Sequence, residues 1–285
     1  MSTFVVGDVH GRRAQLRQLL SMLPRRAERD RLVLLGDLVD RGEDVPGTVA
    51  DCLELMRGSD EGRVRVLRGN HEQMLLDFLD EGAPLWLHPA VGGHHTFEQY
   101  TGCALTDELR SWWEEARRRF AAAVPAEHVE FIRSLPLFDE DEHAFYVHAG
   151  LDGEKHPRET DARFLLFARN PDFYRHYHGK PCVFGHTPTP LLPFLGRVGR
   201  HGIYIAHSAI GIDTGYDPTC PLSCLQLPEF NLYQTFADGR AAVFRMTTLI
   251  PEPFRTFQRD EARAARRAQA PAPEAKTPPA PDPDL

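Results

Sequence analysis

Asp8 and His10 lie in Gly7-Asp8-Val9-His10-Gly11, Asp37 in Gly36-Asp37-Leu38-Val39-Asp40-Arg41-Gly42, and Asn70 in Arg68-Gly69-Asn70-His71-Glu72. Two more donors come later, His148 in His148-Ala149-Gly150 and His186 in Gly185-His186-Thr187-Pro188. These oxygen and nitrogen donors suit Mn, Fe, Zn or Mg better than soft copper. A lone histidine of this kind is more often structural, but Asp8, His10, Asp37, Asn70, His148 and His186 together predict a two-metal centre. Asp37 is the central acid and can bridge two ions with its two oxygens. Two ions about 3.5–4 Å apart can share a water, lower its pKa and aim it at phosphorus. The flanking glycines permit the sharp turns that bring several backbones to one point.

Something must carry those donors to one place. Each motif follows a short apolar run: Thr3-Phe4-Val5-Val6, Leu32-Val33-Leu34-Leu35, Val64-Arg65-Val66-Leu67, Phe145-Tyr146-Val147 and Cys182-Val183-Phe184. Such runs read as buried strands. The donors then sit where strands end and loops begin, the usual place for a site in an open α/β sheet. Helices are predicted over 12–23, 45–56 and 71–79, giving strand–loop–helix three times and hence parallel pairing. Residues 81–105 break this rhythm, and helices follow over 107–123 and 126–135. The whole stretch 81–136 reads as a helical cap insertion. Further strands are expected at 144–147, 182–184, 203–205, 222–227, 232–236 and 241–245. Asp238-Gly239 is a hairpin signal, so the second half is expected to be largely antiparallel.

The composition shifts near Arg259. Residues 259–270 are charged and Ala-rich, and 271–285 are Pro-rich. We divide the chain into a catalytic domain over 1–255 and a tail over 256–285, with a composition that favours disorder.

Gly-Asp-Val-His-Gly, Gly-Asp-Leu-Val-Asp-Arg-Gly, Arg-Gly-Asn-His-Glu, His-Ala-Gly and Gly-His-Thr-Pro together resemble the PPP family of metal-dependent phosphoprotein phosphatases, within the calcineurin-like metallophosphoesterase superfamily. The resemblance covers roughly residues 3–228. Trp86-Leu87, Gly92-Gly93 and the segment 125–136 resemble its bacterial branch. It implies an α/β fold: a central two-sheet β sandwich flanked by helices, with the helical cap. One metal would be held by Asp8, His10 and Asp37, the other by Asp37, Asn70, His148 and His186. His71 would be the general acid, oriented by Asp40. Arg41, Arg68 and Arg169 would bind phosphoryl oxygens, which guanidinium forks match bidentately. At Arg169 the family usually carries a preceding Trp-x, and Phe167 stands in its place. After Ile212-Asp213-Thr214-Gly215 the family commonly has a Gly pair, where this chain has Asp217-Pro218-Thr219-Cys220.

The reaction implied is hydrolysis of phosphoserine or phosphothreonine monoesters, with phosphotyrosine a further option, by attack of metal-bound hydroxide. Two Mn ions are the expected cofactors, with an Fe/Zn pair satisfying the same ligands. The alternative substrate is a symmetrical dinucleoside tetraphosphate. Glu72 after His71 favours the phosphoprotein reading, because the tetraphosphatases resemble His-Asp there. A catalytically dead phosphoprotein-binding scaffold would have lost a ligand or the general acid, and none is missing.

A net charge of −8 argues against nucleic-acid polymers as partners. No apolar run reaches the roughly 20 residues needed to span a bilayer, so no membrane association and a cytoplasmic location are expected. The five cysteines are scattered without CxxC spacing and read as free thiols, with Cys220 and Cys224 the weakest of zinc signals. His94 and His95 are expected as solvated residues of a cap loop.

Overall fold

The computed structural model describes residues 1–60, 62–193, 197–198, 202–247 and 250–269. The strands are β1 (Thr3–Val6), β2 (Arg31–Leu34), β3 (Val64–Val66), β4 (Phe138–Glu140), β5 (Phe145–Val147), β6 (Cys182–Phe184), β7 (Arg197–Val198), β8 (Tyr204–Ala206), β9 (Ala209–Gly211), β10 (Leu222–Leu227), β11 (Asn231–Thr235) and β12 (Ala241–Arg245). The helices are α1 (Arg13–Met22), α2 (Val45–Arg57), α3 (Asn70–Glu81), α4 (Gly93–Thr101), α5 (Asp107–Ser111), α6 (Trp113–Ala123), α7 (Ala126–Ser134), α8 (Ala162–Phe167), α9 (Pro171–His176) and α10 (Glu252–Gln269).

Successive side chains of a strand point to opposite faces, and that alternation builds three apolar layers. Val5, Val33, Tyr146, Val183, Ile210 and Leu225 face inward and fill the space between two sheets. Phe4, Val6, Leu32 and Leu34 face outward and are covered by α1–α3 and the 84–134 helices. Phe145, Val147, Cys182 and Phe184 are covered on the other outer face by α8 and α9. The two sheets run β12-β11-β10-β1-β2-β3 and β4-β5-β6-β9-β8-β7. This is the two-sheet α/β architecture that the sequence implied.

β1, β2 and β3 are parallel, in register Thr3↔Arg31 and Leu32↔Val64. The second half is largely antiparallel, as expected, in β4–β5, β7–β8–β9 and β10–β12, but β5, β6 and β9 pair in parallel within it. β10–β12 are antiparallel, as the Asp238-Gly239 turn requires, with Gly239 at φ +82°. Two parallel sets, one per sheet, therefore end in loops that can meet.

The stretch 81–105 is less irregular than its glycines and prolines suggest, since it holds α4 between the left-handed glycines Gly92 and Gly102. The helix expected over 107–123 breaks at Trp112, which leaves helical geometry and is exposed. The break lets Trp113 close over Gly82, where a Cβ would clash with its ring.

The expected boundary near 256 does not coincide with an end of structure. α10 runs through it, anchored by Phe254 against Phe230 (centroids 5.3 Å apart) and by Gln258 Nε2 donating to the Glu229 and Met246 carbonyls. The Ala, Arg, Glu and Gln of this segment are good helix formers. Residues 270–285 lie outside the described residues. Among the described residues no helix is long and apolar enough to cross a membrane.

Candidate active site

Five of the expected site residues have left-handed backbones: His10 (φ 48°), Asp37 (φ 48°), Asp40 (φ 71°), Arg41 (φ 67°) and His186 (φ 63°). Non-glycine residues seldom adopt this conformation, and it clusters at functional sites. The neighbouring glycines give the room. A Cβ at Gly69 would fall onto the Asp37 carboxylate, and one at Gly185 onto that of Asp8.

The structure brings together all six expected ligands. Asp37 lies at the centre, with Oδ1 at 3.4 Å from His148 Nε2 and Oδ2 at 3.6 Å from His10 Nε2. Asn70 Oδ1 is 2.9 Å from His148 Nε2 and 2.8 Å from His186 Nδ1. Asp8 accepts the His186 backbone N–H at 3.0 and 3.2 Å.

The donor set fits metal ions. His10 Nδ1 donates to the Val39 carbonyl at 3.0 Å and His148 Nδ1 to the Leu35 carbonyl at 2.9 Å. Because a carbonyl only accepts, each imidazole turns its Nε2 lone pair toward Asp37, the arrangement typical of metal-ligating histidine. His186 Nε2 is buried with no hydrogen-bond partner. The Asp37 oxygens, Asn70 Oδ1 and the Nε2 atoms of His10 and His148 converge on one centre rich in acceptors, which a cation satisfies. Burial, then the like charges of Asp213 and Asp37, raises Asp8 well above the ordinary carboxylate range. Burial, then His148, lowers His186 to about 3, and burial, then His71, lowers His10. His10 and His186 are therefore neutral, as ligands must be.

His71 stands beside this centre, with Nε2 at 3.8 Å from Asp37 Oδ2. Its Nδ1 donates to Asp40 Oδ2 at 2.6 Å. Asp40 is fully buried and also accepts from Trp86 Nε1 at 3.1 Å and Thr96 Oγ1 at 2.7 Å. Thr96 Oγ1 accepts the Asp40 backbone N–H at 2.9 Å. Burial works against protonating His71, but Asp37 and the bond to Asp40 prevail and raise its pKa. The sequence reading did not place Trp86 and Thr96 in the site. A buried indole N–H must find an acceptor, which was the available signal for Trp86.

Glu72 lies beneath the loop rather than in the cleft. Its Oε1 accepts the N–H groups of Leu38 and Val39 at 2.7 and 3.1 Å, and its Oε2 those of Asp37 and Gly69 at 2.8 Å each. This fully buried carboxylate buttresses the Asp37 turn. Its side chain is buried beneath the loop, so any bearing on substrate class is not through direct contact.

The three arginines differ. Arg41 reaches the centre, with Nη1 at 2.9 Å from His10 Nε2 and Nη2 at 3.1 Å from His71 Nε2. The terminal nitrogens of Arg68 are committed to Gln73 Oε1 at 2.9 Å and the Arg133 carbonyl at 2.6 Å. Arg169 is exposed and acts on His186 only through space.

Beside His10 and Arg41 opens a cleft of about 660 Å³, walled by Pro89, Ala90, Gly92, His94 and His95 of the cap and by Tyr216 and Pro218. His94 and His95 belong to the first turn of α4 rather than to a loop, and their rings lie 4.1 Å apart. All five cysteines are free. Among the described residues, the groups able to hold an ion are His10, Asp37 and His71, and Asp8, Asp37 and His148.

Comparison with known proteins agrees with this geometry. A symmetrical bis(5'-nucleosyl)-tetraphosphatase of Chromohalobacter salexigens is 42% identical over 85 residues, covering 30% of this chain and 29% of that one. Serine/threonine-protein phosphatase 1 of Salmonella typhimurium is also 42% identical over 85 residues, 30% of this chain and 36% of that one. A symmetrical bis(5'-nucleosyl)-tetraphosphatase of Erwinia tasmaniensis is 28% identical over 204 residues, 70% of this chain and 63% of that one. The chain thus spans less than two thirds of each of these relatives. Among solved structures, a putative diadenosine tetraphosphatase superposes with TM-score 0.53 at 20% identity, over 87% of this chain and 94% of the other. A cold-active protein tyrosine phosphatase gives 0.52 at 20% identity, over 85% and 80%. Both likenesses concern the fold. Residues 1–209 match the model of the calcineurin-like phosphoesterases, a family built around a dinuclear divalent-metal site, and the chain belongs to that family of hydrolases.

Proposed function

We propose that the chain hydrolyses symmetrical dinucleoside tetraphosphates, the alternative of the sequence reading rather than its first choice. The observation that carries this is the extent of the similarity. Over 85 residues each, both kinds of relative are equally similar, at 42%. The likeness that continues over 204 residues is to a protein named a symmetrical tetraphosphatase. The cleft beside Arg41 adds support, since its 660 Å³ suits a nucleoside phosphate.

Asp8, His10 and Asp37 would hold one divalent ion, and Asp37, Asn70, His148 and His186 the other, with Mn²⁺ our choice and an Fe/Zn pair chemically equivalent. When bound, the ions supply Lewis acidity and lower the pKa of a coordinated water. Arg41 would neutralise charge developing on the phosphoryl oxygens. In the hydrolysis a water oxygen would bond to phosphorus as the P–O bond to the bridging oxygen breaks, so that one nucleoside diphosphate would leave with the bridging oxygen and the other would keep the water oxygen. His71, held at Nδ1 by Asp40, would carry at Nε2 the proton given to the leaving oxygen.

The test is kcat/KM of metal-stripped protein resupplied with Mn²⁺, on diadenosine tetraphosphate against phosphoserine, phosphothreonine and phosphotyrosine peptides. Preference for the dinucleotide, with ADP the sole nucleotide product, is expected. Preference for the peptides would overturn the proposal and restore the phosphoprotein reading.

A further inference from the structure

The loop between β9 and β10 carries Tyr216-Asp217-Pro218-Thr219-Cys220 where the family resemblance leads one to expect a Gly pair. Tyr216 is 53% exposed. It is held in place nonetheless: the Arg41 guanidinium lies 4.3 Å over its ring, and the His10 ring meets it edge-on at 6.1 Å. A rigid aromatic with a free face beside a cationic centre suits a flat heteroaromatic ring.

Arg12 lies in the same cleft and is 6% exposed. Its Nε donates to the Val9 carbonyl at 3.0 Å and its Nη2 to the Asp8 carbonyl at 2.6 Å. Those two bonds fix the guanidinium plane, and Nη1 is left buried without a partner. Asp213, Asp8 and Glu43 offset part of the Arg12 charge, and the unmet Nη1 donor suits an anionic acceptor such as a phosphoryl oxygen. Arg41 lies between this cleft and the metal ligands.

We propose that this cleft is a nucleoside-phosphate subsite in which Tyr216 stacks the base and Arg12 anchors the phosphate next to it. The inference rests on the dinucleotide reading and names the residues that would make it selective. A polyphosphate entering from the metal ligands passes Arg41, meets Arg12 and lays its base on Tyr216, within walls that include His94 and His95.

The experiment uses the Mn²⁺-loaded full chain. It measures the ratio of kcat/KM on diadenosine tetraphosphate to that on p-nitrophenyl phosphate, and the Kd for ADP by calorimetry. Tyr216→Ala is expected to lower the ratio by about 10-fold or more and to weaken ADP by a similar factor. Tyr216→Trp should restore both, which a merely structural role would not explain. Arg12→Lys, which keeps the charge but loses the fork, should weaken ADP by about 5-fold or more. If the Tyr216 and Arg12 variants leave ratio and ADP affinity within about twofold, the subsite is overturned, while a wild type that cleaves the dinucleotide keeps the broader reading. A wild type that binds ADP through Tyr216 yet does not cleave the dinucleotide supports the subsite and overturns the reaction. A wild type that does neither overturns both.

Discussion

Asp40 receives the His71 Nδ1 proton across 2.6 Å while two further donors, Trp86 Nε1 and Thr96 Oγ1, hold its carboxylate in place. That leaves Nε2 as the only ring nitrogen able to pass a proton to a leaving group. How much this matters depends on the leaving oxygen. An alkoxide needs the proton in the transition state, whereas a nucleoside diphosphate or nitrophenolate leaves with far less help. His71→Asn should therefore cost roughly 10²-fold or more in kcat on alkyl phosphates, and clearly less on the dinucleotide and on p-nitrophenyl phosphate. Mn²⁺ binding by calorimetry should persist. Equal losses on all three substrates would remove proton donation from the role of His71.

Glu72 offers a test of what a single methylene does. Its two oxygens span four backbone N–H groups of two loops. Glu72→Asp keeps the charge but cannot reach all four, so some buried donors lose their acceptor at about 1–3 kcal/mol each. Lower Tm and a common fall in kcat/KM on peptides and dinucleotide are expected, with their ratio unchanged within about twofold. A ratio that swings toward the dinucleotide would show that Glu72 governs substrate choice after all.

What could be read from the sequence was local. The six metal-type donors, each within a few residues of an apolar run, were visible because strand, turn and motif are adjacent in the chain. The partners that tune them were not. Trp86 and Thr96 lie 46 and 56 residues from Asp40, and only the packing of the cap against α2 and α3 brings them there. Arg12 looked like the start of a helix, because an unmet donor is visible only once its surroundings are built. β4 (Phe-Asp-Glu) and β9 (Ala-Ile-Gly) lack the run of branched apolar residues that marked other short strands, and α10 hid behind a composition that fits a solvated tail equally well.

Asp141 is another such residue, and it links the two sheets. Between β4 and β5, its carboxylate accepts from Thr3 Oγ1 of β1, from Tyr146 OH at 2.9 Å and from the His143 and Ala144 N–H groups, with Arg31 of β2 at 3.3 Å. Burial alone would raise its pKa, but these donors outweigh it and hold the folded-state value below the ordinary one. A depressed folded pKa means stability that is present above the unfolded value, about 3.9, and lost as pH falls through the folded value. Asp141→Asn should destabilise by about 1–3 kcal/mol at pH 7. In urea titrations the gap between variant and wild type should narrow as pH falls below about 4. A gap independent of pH would mean that the carboxylate charge contributes nothing.

Gly185 tests the convergence of the ligands by the smallest possible addition. Its missing side chain leaves room for the Asp8 carboxylate, which also accepts the His186 N–H. A methyl group there must push Asp8 aside, since the other contact, the His148 carbonyl at 3.5 Å, belongs to backbone. Gly185→Ala should therefore disturb the ion held by Asp8, His10 and Asp37 more than the one completed by Asn70, His148 and His186. Calorimetric titration with Mn²⁺ should show one site weakened by about 10-fold or more and the other nearly intact, with phosphate release falling accordingly. Two sites of unchanged affinity would mean that Asp8 lies outside the metal centre.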